Sequence, residues 1–141
     1  MPERQFTLDA SVAAKWFNSE SLIEEALRVR NAFAQGKIGL LAPAHMPYEV
    51  GNAIWKNKLL TRQDAAAAIK NLIDFQINLI DLTPKIAGEA MTLARESGVT
   101  FYDAAYITVA DQFDAQLVSA DERILAVSKG KRSMHLKDFQ I

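Results

Sequence analysis

Phe6-Thr7-Leu8-Asp9-Ala10-Ser11 is a short apolar run that ends on an acid and passes at once into helix-forming residues. A brief apolar run of this kind suits a strand buried on both faces. Ala10 to Phe17 then reads as a short helix, and the same grammar repeats along the chain. Ser21 with Glu24 three residues on predicts a capping box opening a helix toward Ala34, with Gly36 closing it. Ile38 to Leu41 is a second strand, broken by Pro43. Pro47 suits the first turn of a helix that runs to about Lys58. Thr61 with Asp64 caps a helix to about Phe75, and Asn78 to Leu82 is a third strand. Pro84 starts a helix that stops at Gly98. Thr100 and Asp103 cap another, ending near Phe113. Ala115 to Ser119 is a fourth strand, followed by a helix from about Glu122 to Ser128, and Met134-His135-Leu136 is a short fifth strand. Apolar strands alternating with helices predict a single α/β domain over residues 1–141. It is a Rossmann-like three-layer arrangement with a mainly parallel sheet of four to five strands and helices on both faces.

Composition narrows the function. The chain has 141 residues, half of them hydrophobic, enough for a core without staples. It has no cysteine, which excludes disulfides and thiolate metal sites and suits a reducing cytoplasm. Met1-Pro2-Glu3-Arg4-Gln5 lacks the apolar run of a signal peptide, and no stretch is long and apolar enough to span a bilayer. Lys and Arg total 16 against 17 Asp and Glu, a net charge of −1. That balance argues against simple coating of a nucleic-acid backbone, which calls for a clearly basic surface. It leaves room for a nuclease whose local positive charge is a bound metal ion.

Four acids carry the functional reading, and each has an ordinary explanation. Asp9 and Asp121 are placed to N-cap helices, Asp103 completes the Thr100 box, and Glu49 sits in a first helical turn where a negative charge favours the dipole. Jointly they say more. Asp9 ends the first strand and Asp121 follows the fourth. In a sheet that winds outward from its first strand, those two are neighbours at the topological switch point. Glu49 and Asp103 begin helices at that same end, so all four project toward one crevice. Converging acids without a basic partner repel one another and raise each other's pKa, a conflict that a divalent cation resolves. Oxygen-only ligands suit Mg²⁺ or Mn²⁺.

At these residues the sequence resembles PIN-domain ribonucleases, and within that fold the VapC toxins of VapBC toxin–antitoxin pairs. The segments that carry the resemblance are Leu8-Asp9-Ala10-Ser11, Pro47-Tyr48-Glu49-Val50-Gly51-Asn52-Ala53, Thr100-Phe101-Tyr102-Asp103-Ala104-Ala105-Tyr106 and Leu117-Val118-Ser119-Ala120-Asp121-Glu122-Arg123-Ile124-Leu125. Each is weakly specific; their order and spacing over nearly the whole chain are not. The resemblance implies a PIN-like fold, with Asp9, Glu49, Asp103 and Asp121 as catalytic and metal-binding acids and Asp9 and Asp103 as the foremost direct ligands. It also implies an Mg²⁺- or Mn²⁺-dependent endoribonuclease that hydrolyses RNA with metal-activated water, leaving a 5′-phosphate and a 3′-hydroxyl. The implied partner is a VapB-type antitoxin laid over the acidic crevice. Ser119 stands where the family often has Thr or Ser.

Other residues are secondary. Ser119 and Ser11 are candidates to orient an acid, and Asn52, one turn after Glu49, to bond a phosphate or an acid. Lys15 and Lys56 are candidate RNA contacts, with Lys58 and Arg62 beside them, although a solvated surface is the better explanation of each such charge. Glu122 reads as a solvated helix residue, and His45 and His135 as structural. Trp16 and Trp55 suit a core or a subunit interface. Asp111 and Asp114 read as turn residues. The small and apolar residues from Asn52 to Phe75 suggest a homodimer contact. Rival readings are a PIN-fold RNA-processing nuclease, a non-catalytic RNA- or protein-binding module, an aspartyl-phosphate phosphatase and a signalling receiver domain. The phosphatase would need a second Asp where Ser11 stands, and the receiver's paired acids and final lysine are not evident.

Overall fold

The structure is a computed structural model that describes residues 4–128 and 132–141. Its five strands are β1 (Arg4–Leu8), β2 (Ile38–Pro43), β3 (Asn78–Ile80), β4 (Gln116–Ser119) and β5 (Ser133–His135). They form one sheet in the order β3-β2-β1-β4-β5, with every pair parallel. The helices are α1 (Ala10–Ala13), which runs on as a 3₁₀ turn to Trp16, then α2 (Ile23–Ala34), α3 (Met46–Lys56), α4 (Arg62–Asp74), α5 (Pro84–Ser97), α6 (Phe101–Gln112) and α7 (Glu122–Val127). The α/β class, the parallel sheet and all five strands are as the sequence predicts.

Burial explains the pattern. All six residues of β2 are buried, as a strand covered on both faces requires. Its successive residues face opposite ways: Leu40 joins the main core with Val29 of α2, whereas Leu41 packs with Ile86 of α5 and Val109 of α6. Helix α6 is buried without a break from Asp103 to Ala110 and touches β1, β2 and β4. A helix with no polar face belongs inside the domain, and this one carries Asp103 inward with it.

Local signals mostly act as read. Thr61, Thr83 and Thr100 each accept a backbone N–H at a helix start. Gly36 and Gly98, at φ 72° and 74°, close α2 and α5. The Ser21–Glu24 box does not form. Instead α2 begins at Ile23, after Leu22 in a left-handed conformation (φ 61°) with no side-chain cap. Leu22 packs against the main core, and that anchoring decides how the chain enters the helix.

Candidate active site

Because all strands run parallel, their carboxyl ends share one edge of the sheet. The switch point lies between β1 and β4, which pair with Leu8 opposite Val118. Asp9 is the first residue beyond β1. Its carbonyl starts α1, but its side chain makes no capping bond. The carboxylate accepts instead from the Ser11 hydroxyl at 2.7 Å. That hydroxyl also accepts the Ala120 N–H at 3.1 Å, which ties the turn after β1 to the turn after β4. Ser119 accepts the Asp121 N–H at 2.9 Å and also helps favour the ionised Asp9 carboxyl. Both serines thus orient acids, through local geometry that the first and fourth strands bring together.

Asp9 is 3% exposed. Burial pushes its carboxyl up to about 7, with the Asp121 charge adding to the rise and the two serine hydroxyls opposing it. Asp103, buried in the first turn of α6, is also raised, by burial first and then by the charges of Asp121 and Glu49, with Arg123 opposing. The other two acids go the opposite way. Burial alone would raise Glu49, but His45 and Tyr106 outweigh it and hold its carboxyl below the usual range. The Tyr106 hydroxyl donates to Glu49 Oε1 at 2.6 Å. His45 Nε2 lies 3.1 Å from the same oxygen, close enough to attract but outside the angle of a well-formed hydrogen bond. Burial likewise opposes ionisation of Asp121, and Arg123 overrides it through its side chain and its N–H, so Asp121 is lowered. Asp121 is therefore both a helix cap and a member of the cluster.

The four acids feel one another's charge: Asp121 acts on Asp9, Glu49 and Asp103, and Glu49 acts on Asp103. The expectation that they lack a basic partner is corrected. The Arg123 guanidinium lies 3.3 Å from Asp121 and 3.9 Å from Asp103, with its side chain 74% exposed. Among the described residues no three carboxylate or imidazole groups converge tightly enough to hold an ion as they stand. Arg123 draws on Asp121 and Asp103, while Tyr106 and His45 restrain Glu49. The donor chemistry nonetheless fits a hard divalent cation. The candidate donors are all carboxylate oxygens, and two of the acids ionise only at a cost that a neighbouring cation would remove.

Supporting candidates separate. Asn52 and Lys56 are exposed on α3, one and two turns beyond Glu49. Lys15 differs from its reading as an RNA contact: it is 6% exposed, with its ammonium 3.5 Å from Glu20. Trp16 is buried and donates to the Ala26 carbonyl, whereas Trp55 is 74% exposed. His135 bonds the Lys137 N–H and lies near Glu122. The reading missed His45, Tyr106 and Arg123. The four-residue spacing of His45 and Glu49 at a helix start was a visible signal, as was the position of Arg123 two residues after Asp121. Nothing local marked Tyr106, which arrives from a helix 57 residues away.

The PIN domain profile matches residues 6–130. Exonuclease VapC9 of Pyrobaculum aerophilum is 41% identical over 91 residues, covering 64% of this chain and 68% of that protein. Ribonuclease VapC3 of the same organism is 30% identical over 125 residues, 85% of this chain and 92% of its own length. Among solved structures, a toxin–antitoxin complex from Klebsiella pneumoniae superposes with a TM-score of 0.66 at 13% identity, covering 96% of this chain and 99% of the matched one. At that identity the likeness is one of fold.

Proposed function

The chain belongs to the PIN domain family and, within it, to the VapC branch, and on that premise we propose that it is a divalent-metal-dependent endoribonuclease, the toxin of a toxin–antitoxin pair. What supports the reading is the mutual influence of the Asp9, Glu49, Asp103 and Asp121 charges, with Asp9 just beyond β1 beside β4, buried and held up to about 7. Asp9 and Asp103 would hold Mg²⁺ or Mn²⁺, with Asp121 and Glu49 completing the set. Such an ion supplies activation of water for in-line attack on a phosphodiester and offsets charge on the phosphate. The chain's own groups do the positioning. Ser11 and Ser119 fix the Asp9 carboxylate. Tyr106 and His45 occupy Glu49 Oε1 and leave its second oxygen available. Arg123, exposed at the rim, is placed to turn from the acids to a phosphate when a cation takes over their charge.

The relatives bear the names exonuclease and ribonuclease. The partners follow the same reading. A VapB-type antitoxin would cover the acids. A second copy would meet the α3–α4 face, where Tyr48 and Ile73 line a groove of about 530 Å³ and Trp55 is exposed further along α3. No helix among the described residues is long and apolar enough to cross a membrane. Purified protein with Mg²⁺ or Mn²⁺ should cut both linear and circular RNA, and EDTA, Asp9→Asn or Asp103→Asn should each abolish cutting. Cutting of linear RNA alone would make it an exonuclease. Cutting that survives EDTA and both substitutions would remove the carboxylate–metal site.

A further inference from the structure

Beside the carboxylates lies a cleft of about 220 Å³, bounded by the loop after β2, the start of α5 and one face of α6. Ile86 and Ala105, 2% and 3% exposed, form its floor; Leu82 and Tyr102, 59% and 57% exposed, form its lips. On α6 the lining residues Phe101, Tyr102, Ala105 and Val109 follow helical spacing along one face. Asp103 and Tyr106 occupy the adjoining face that looks onto the acids. His45 is the partition. It lines the cleft, its ring lies 5.1 Å from Tyr102 and 4.8 Å from Tyr106, and its Nε2 is the atom beside Glu49. One imidazole therefore separates an apolar, aromatic-lipped slot from the carboxylate cluster.

The slot suits a flat, uncharged ring. It is smaller than the roughly 300–1,000 Å³ that takes a drug-sized ligand. Among the described residues no Lys, Arg, Asp or Glu lines it, so its walls offer a phosphate no fixed charge. Single-stranded RNA offers what fits, an unstacked base that aromatic side chains receive by stacking. We propose that this cleft receives one base of the RNA strand next to the phosphate that lies over the acids, with Tyr102 as its stacking partner. The inference rests on the ribonuclease reading for its substrate. Tyr102 is then a positioning residue: it anchors the strand so that the neighbouring phosphodiester meets the crevice. Stacking accepts any base, so the slot contributes affinity and register more than sequence choice.

The test is the affinity of the intact protein for a fluorescein-labelled short single-stranded RNA, measured by anisotropy, beside steady-state cleavage of the same RNA with Mg²⁺ or Mn²⁺. Tyr102→Ala should weaken binding and raise KM by about 5- to 150-fold, the range for loss of one base–aromatic stack, with kcat changed far less. Tyr102→Phe should behave as wild type. Tyr102→Leu, which keeps apolar bulk without a ring face, should resemble Tyr102→Ala. Affinity for the duplex form of the RNA should not depend on Tyr102, because its bases are already stacked. Unchanged affinity and KM in Tyr102→Ala would overturn the subsite. If that variant also loses self-association, the cleft belongs to a second copy of the chain. Tyr102-dependent binding by a protein that cuts no RNA would retain the subsite and sink the ribonuclease reading, so the two fail separately.

Discussion

Asp9 is a residue whose fold and function pull apart. In the unfolded chain its carboxyl titrates near 3.8, and in the fold near 7. The folded state therefore holds the proton more tightly. Its stability is fully present below about pH 4 and falls as pH rises toward 7. A shift of that size corresponds to something on the order of 4 kcal/mol for a group this deeply buried. Asp9→Asn removes the titrating charge and keeps an oxygen for Ser11. Without metal, the variant should melt higher than wild type at pH 8, by on the order of 5–10 °C, and at nearly the same temperature at pH 4. Thermal melts at both pH values check it; a difference independent of pH would mean that the buried charge is not the cause. Glu49 has the opposite sign. Tyr106 and His45 hold its carboxyl low, so Tyr106→Phe should raise it and move the acid limb of the cleavage profile to higher pH, with little effect on the alkaline side. The acids themselves were legible from their positions at strand ends and helix starts. What tunes them was not, because Tyr106 reaches Glu49 only after α6 has packed beneath the sheet.

At the scale of elements, the boundaries written in short-range chemistry were legible. Thr61 and Thr100 cap as their spacing says, and the prolines at 47 and 84 open helices as they should. Ser21 failed because tertiary packing of Leu22 outweighed a local cap. The cap of α6 has the greatest consequence, since Thr100 accepts the N–H of Asp103 itself at 3.0 Å. Thr100→Ala should cost about 1 kcal/mol, the usual value of an N-cap. It should also lower cleavage more than a remote cap loss such as Thr61→Ala, because the backbone that aims Asp103 is loosened with it. Denaturant melts and kcat measured on both variants check the pair; equal losses of activity would separate the cap from the site. At the other end of α4, Gln76 is exposed at φ 57°, a conformation that costs a side-chain-bearing residue about 1–2 kcal/mol. Gln76→Gly should therefore stabilise the protein slightly, by less than that amount because glycine also frees the unfolded chain. A denaturant midpoint below that of wild type would refute it.

For the whole molecule, the alternation of strands and helices made the parallel sheet legible, and the winding rule placed β1 beside β4 before any contact was known. The cleft at Tyr102 was not legible. Its lining comes from β2, β3, α5, α6 and the loops between them, and no sequence window holds those residues together. The counter-charge was legible only in part, since the spacing of Arg123 from Asp121 shows in the sequence but its approach to Asp103 does not until α7 has packed. These features converge on one global property. A chain with a net charge of −1 keeps four acids at one edge, two of them reluctant to ionise, beside the exposed guanidinium of Arg123. A cation that binds the folded crevice and not the unfolded chain must add stability by mass action, about 2.7 kcal/mol at a hundredfold excess over its Kd. Raising Mg²⁺ or Mn²⁺ should therefore raise Tm in proportion to the logarithm of concentration, and EDTA should reverse it. The rise should be larger at pH 8 than at pH 5, because at the lower pH the cation must displace a proton from Asp9. Asp9→Asn should flatten the response. A Tm indifferent to either ion at pH 8, in protein that remains folded, would mean that Arg123 is the only cation these acids accept.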